Sequence, residues 1–101
     1  MMDEKEIKNV RLHEYVREFC DQHNVEFTSL TERRRDRNWV IQLRQRLFYE
    51  LHTRGHSLPE IGAFLNRDHT TVLWGKRQYI KRITKENRRE KRRKQNELRS
   101  T

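Results

Sequence analysis

Five consecutive polar residues, Arg67, Asp68, His69, Thr70 and Thr71, place a guanidinium, a carboxylate, an imidazole and two methyl-bearing hydroxyls within little more than one helical turn. Such a set can read the edges of base pairs in a DNA major groove. A carboxylate accepts from the amino group of cytosine or adenine, a threonine methyl rests on the thymine methyl, and an imidazole bonds to or packs on a base edge. A plainer reading of the same residues is that Asp68 favours a helix N-terminus electrostatically while the threonines are ordinary surface residues. The five residues by themselves leave both open.

The elements around them are helical. Ile7, Leu12, Val16, Phe19 and Cys20 recur at helical intervals and predict a first helix over about 3–23 with an acidic outer face, packing through Leu12, Val16 and Phe19. Val25, Phe27 and Leu30 read as a connector, and Arg33, Arg34, Arg35 and Arg37 as a basic loop. A stripe of Val40, Leu43, Leu47 and Leu51 predicts a second helix from Trp39 to about Thr53, stopped by a left-handed Gly55. Ser57, with Glu60 three residues on, has the form of a capping box, and Pro59 in a first turn sacrifices no internal hydrogen bond. The short helix so opened offers Ile61, Phe64 and Leu65 to the core, with Gly62 small enough for a close crossing, and ends near Asn66. Another helix opens at Asn66 or Arg67, with Val72, Leu73, Tyr79, Ile80 and Ile83 on its apolar side. Two helices joined by a tight turn, a helix-turn-helix, therefore hold the polar run at the start of the second. The predicted fold is all-α: a small helical domain over 1–83, followed over 84–101 by a basic tail, helical or disordered, with almost nothing to bury.

Charge is distributed to match. The 101 residues carry a net +9, with a pI near 10.3. Residues 1–30 hold four Lys/Arg against seven Asp/Glu, residues 31–80 ten against five, and residues 81–101 ten against three. The middle and the tail are thus basic and suit a polyanionic partner. Only nine aromatics are present, several needed for the core, which leaves few for stacking on single-stranded RNA and favours duplex DNA.

The runs Ser57-Leu58-Pro59-Glu60-Ile61-Gly62 and Leu65-Asn66-Arg67-Asp68-His69-Thr70-Thr71-Val72-Leu73 resemble the C-terminal DNA-binding domain of the bacterial replication initiator DnaA. The resemblance is most specific in RDHTTVL and extends more loosely over residues 24–83. Trp74-Gly75 stands where the family usually has histidine-alanine. It implies base contacts from Pro59, Asp68, His69 and Thr70, a phosphate contact from Thr71 and entry of Arg35 into the adjacent minor groove. Arg33, Arg34, Arg37, Arg44, Gln45 and Arg67 are assigned with it to DNA phosphates. The implied activity is sequence-specific binding of double-stranded DNA at a site resembling the initiator's box. The role the resemblance implies is that of a replication accessory factor, as of the phage or prophage type, or a small transcription regulator.

Other chemistry finds little support. No GxxxxGK[ST] phosphate loop occurs in the chain, so nucleotide-driven origin melting is not expected of it. His52 and His56, and Cys20 with His23, are two-ligand pairs without a third partner, so no metal is expected, and neither is a cofactor. No nucleophile-base-acid set suggests an enzyme. With no apolar run of membrane length, no secretory leader pattern and a single thiol, the expected location is the cytoplasm, nucleoid-associated in a bacterium or phage-encoded. The rival reading is a protein-interaction adaptor of the replication or transcription machinery, in which the acidic first helix or Trp74 meets a partner and DNA binding is incidental.

Overall fold

The computed structural model describes residues 3–32 and 37–99, with side chains as far as residue 93. Those residues form five helices and no strand: α1 (Glu4–His23), α2 (Phe27–Thr31), α3 (Asn38–Thr53), α4 (Leu58–Leu65) and α5 (His69–Arg99).

Local chemistry sets most of the boundaries. Asp3 opens α1 by accepting the Glu6 amide at 2.8 Å, and Asn24 closes it in the left-handed conformation, which asparagine tolerates better than most residues. Gly55 ends the α3 region at φ 101°, where a side chain would be strained. Ser57 caps α4 by accepting the Glu60 amide at 3.3 Å. The other half of the expected box differs: the Glu60 carboxylate lies 3.7 Å from Nδ1 of the buried His56, so it turns to the ring that precedes the cap.

Helix α3 is the central element, touching all four others and packing most extensively on α5. Leu12, Val16 and Phe19 of α1, Leu30 of α2, Leu47, Phe48 and Leu51 of α3, Ile61 and Leu65 of α4, and Val72 of α5 make one core. Complete burial of each such side chain stabilises the fold by about 1.5–3 kcal/mol before chain entropy is counted. Outside the core, Tyr15 of α1 donates its hydroxyl hydrogen to Glu50 of α3 at 2.8 Å, and the Arg54 guanidinium covers its ring at 4.4 Å.

Three sequence expectations are corrected. The segment after α1 contains a helical turn and a half, too short to show periodicity, where only a connector was expected. Ile7 and Ile80 fall on exposed helix faces and not in the core. The last helix begins at His69, because Asn66 is left-handed and breaks the spiral before it. It then runs without interruption to Arg99, although every described side chain after Ile83, through Arg93, is exposed. At about 1.5 Å per residue the 31-residue α5 is about 46 Å long.

Candidate nucleic-acid interface

The turn between α4 and α5 is built by backbone bonds that admit few substitutions. Asn66 adopts φ 58°, and the Arg67 amide donates to the Gly62 carbonyl at 2.7 Å. A methyl group on Gly62 would collide with the Arg67 carbonyl oxygen, so glycine is what lets the chain fold back so tightly. The Asp68 carbonyl accepts the Val72 amide at 3.0 Å and starts α5, while the wholly buried Val72 anchors that first turn in the core. Asp68, His69, Thr70 and Thr71 are left exposed on an anchored helix start, and Pro59 is exposed in the first turn of α4. The five residues thus stand at the two helix N-termini of one helix-turn-helix, where partial positive charge favours an anionic ligand.

A set of arginines holds this unit on the rest of the domain. Arg67 is half-buried; its Nη1 donates to the carbonyls of Thr31 at 3.1 Å and Asn66 at 2.9 Å, and its Nη2 to that of Glu32 at 2.6 Å. Asn66 Nδ2 adds a bond to the Thr31 carbonyl at 3.3 Å. The turn is therefore stapled to the C-terminal end of α2. From below, Arg44 on α3 donates through Nε to the Leu30 carbonyl at 2.9 Å and through Nη2 to the Ser29 carbonyl at 3.0 Å. Gln45 accepts from Nη1 of Arg82, whose Nη2 also donates to the Gln42 carbonyl at 3.3 Å.

These bonds bear on the residues expected at phosphates. Arg44 and Gln45 are only 7% and 6% exposed, and both point their polar ends at other helices. Arg67 is bonded to four carbonyls, two of them in the segment at the end of α2. Their partners lie up to 37 residues away, and no local pattern announces them. Arg44, Gln45, Arg67, Thr71 and Trp74 meet around a small hollow of about 70 Å³ beside the start of α5. Arg37 is exposed immediately before α3. Arg33, Arg34 and Arg35 lie outside the described residues.

Two further features emerge from the packing. Trp74 is 58% exposed, the most exposed large apolar side chain of the described part, and stands one helical turn beyond Thr70. Gly75 beside it lets α5 settle onto α3, since Phe48 occupies the space that a side chain there would need. His52 Nδ1 lies 2.6 Å from Lys76 Nζ, and among the described residues no three His, Cys, Asp or Glu side chains assemble as ligands. Burial, and then the neighbouring Asp21 charge, push the Cys20 thiol up, away from the reactive thiolate. No described helix is long and apolar enough to cross a membrane.

The family model described as bacterial dnaA protein helix-turn-helix matches residues 14–78, which run from within α1 to Gln78 in the first third of α5 and include the whole of α2, α3, α4 and the turn that follows. Neither a curated protein nor a solved structure matches the chain.

Proposed function

The chain belongs to the bacterial DnaA helix-turn-helix family, a DNA-binding family, and from that premise we propose that it reads one specific double-stranded site resembling the initiator's box. The observation that carries the proposal is the exposure of Asp68, His69, Thr70 and Thr71 together on the anchored first turn of α5. In a helix-turn-helix this turn meets the base edges.

In this reading Asp68, His69 and Thr70 contact bases from α5, and Pro59 does so from the start of α4. Thr71 bonds a phosphate, Arg37 neutralises another beside α3, and Arg33 and Arg34 add to it. Arg35 enters the adjacent minor groove, where a narrow A·T-rich stretch attracts a guanidinium. Arg44, Gln45 and Arg67 take a different part: Arg67 ties the turn before the reading helix to the end of α2, Gln45 joins that helix to α3 through Arg82, and Arg44 joins α3 to α2. No nucleotide and no catalysis enter. The chain acts as a replication accessory factor or transcription regulator on nucleoid or phage DNA, competing for or sharing initiator-type sites.

Fluorescence anisotropy on a duplex carrying an initiator-type box, against a scrambled duplex of equal composition, tests this. The wild type prefers the box at every salt concentration, and Asp68→Ala or His69→Ala costs about 1–3 kcal/mol on the box with little change on the scrambled duplex. Equal affinity of the wild type for both duplexes would reject base reading and favour an adaptor role.

A further inference from the structure

The exposed face of α5 does not stop at the residues proposed to read bases. From Thr70 the helix presents Trp74 one turn on, and then Arg77, Lys81, Lys85, Arg88 and Arg92, at steps of three or four residues throughout. Such steps keep side chains on one face of a helix. All are exposed, and the opposite side of the same helix carries the buried Val72 and Gly75 and the half-buried Tyr79 and Ile83 that face α3. Acidic residues keep to that other side: Glu86 and Glu90 stand seven residues beyond Tyr79 and Ile83. The stripe therefore has five cations and no carboxylate.

Resting on the reading of the α5 N-terminus as a DNA-binding turn, we propose that this whole face is a single duplex DNA-binding stripe. Its distal cations Lys85, Arg88 and Arg92 would neutralise phosphates outside the box that Asp68, His69 and Thr70 read. Thr70 to Arg92 covers about 33 Å along the helix, close to the roughly 34 Å of one turn of B-DNA. Trp74, at the boundary between base-reading and cationic residues, packs on the sugar-phosphate wall of the groove. The alternatives to DNA fit this face poorly. A second copy would need an apolar seam, and past Ile83 the described side chains supply none. An anionic membrane would need apolar residues opposite the cations, and between Thr84 and Arg93 every residue is polar or charged.

The position of the charge, and not only its amount, is what the proposal asserts, so two triple variants that remove equal charge decide it. One removes distal cations on the centre line of the stripe (Lys85→Gln, Arg88→Gln, Arg92→Gln) and one removes cations to either side of that line (Arg89→Gln, Lys91→Gln, Arg93→Gln), all at exposed positions of the full chain. Each is titrated with box duplexes carrying short or long flanks, and with the scrambled duplex, over a salt series. Loss of three phosphate contacts lowers the slope of log affinity against log salt by about 2.7, so that between about 50 and 200 mM salt the wild type loses about 40-fold more affinity than the stripe variant. The stripe variant also no longer gains from long flanks, while the off-line variant keeps most of the wild-type slope and flank dependence. Equal slopes for the two variants, whether both reduced or both unchanged, overturn the proposal. A wild type that ignores the box but retains this asymmetry supports the stripe while removing base reading.

Discussion

The ring of Phe48 on α3 occupies the space that a side chain at position 75 of α5 would fill: a methyl built on Gly75 stands 2.6 Å from Phe48 Cδ2 and 3.0 Å from Cε2. Phe48 is 2% exposed and cannot swing outward. The glycine thus sets how closely α5 lies on α3.

Two effects of Gly75→Ala oppose each other. Alanine favours the helix by about 1 kcal/mol. Forcing a methyl into a filled core costs about 1–3 kcal/mol. Because the collision is with a locked ring and not with the end of a flexible chain, the steric cost wins and the variant is less stable in urea melts. In a Phe48→Leu background the same substitution meets less resistance and becomes neutral or stabilising. A double-mutant cycle reads the difference, and additive effects would refute the contact.

Arg44 makes a second test, separating a positioning arginine from a phosphate-binding one. Its bonds to the Leu30 carbonyl, buried, and the Ser29 carbonyl, part-buried, are made toward the C-terminal end of α2, where the helix dipole also favours a cation. Arg44→Met therefore lowers stability by about 2–3 kcal/mol, since it leaves these carbonyls without their donors. Arg44→Lys recovers less than half, because an ammonium cannot reproduce the guanidinium fork. Well below the melting temperature the salt dependence of DNA binding is unchanged. Normal stability with a slope reduced by about 0.9 would instead place Arg44 at a phosphate.

How far the sequence could be read depended on how local the cause was. The cap at Ser57, the left-handed Gly55 and the stripe through Val40, Leu47 and Leu51 each declare themselves within a few residues, and the fold follows them, whereas Gly62, expected at a close helix crossing, instead makes room for the backbone of the turn at Arg67. The polar run after Arg67 was legible for the same reason, as one turn of exposed side chains. Arg44 and Arg67 were not, because surface and interior arginines look alike until carbonyls 14 and 36 residues away arrive beside them. Nor was the unbroken course of α5 decided by sequence. A run from Thr84 onward without glycine or proline permits a helix, but a polar composition equally permits none. The stripe on its outer face becomes visible only once helical geometry places residues of the domain and of the tail on one line.

Alkaline pH offers a test of the contact between α1 and α3. Burial first, then the hydrogen bond to Glu50 and the charge of that carboxylate, push the Tyr15 hydroxyl from the ordinary 10.0 up to about 12, against smaller opposing pulls from Arg54 and Arg46. The unfolded chain, with an ordinary phenol, loses this proton first as pH rises. The stabilisation that the neutral phenol provides is therefore complete below about pH 10, declines between about pH 10 and 12, and is gone above. Tyr15→Phe keeps the ring under Arg54 but lacks the hydroxyl, so lysine titration and other alkaline effects are common to both proteins and cancel in the comparison. Urea melts should show the wild type more stable by about 1 kcal/mol near pH 8. The gap should close across the window from about pH 10 to 12. A gap that stays constant up to about pH 12 would mean that the Tyr15 proton is not held by Glu50, and α1 would then be fixed to α3 by its apolar contacts and the Arg54 guanidinium over the ring.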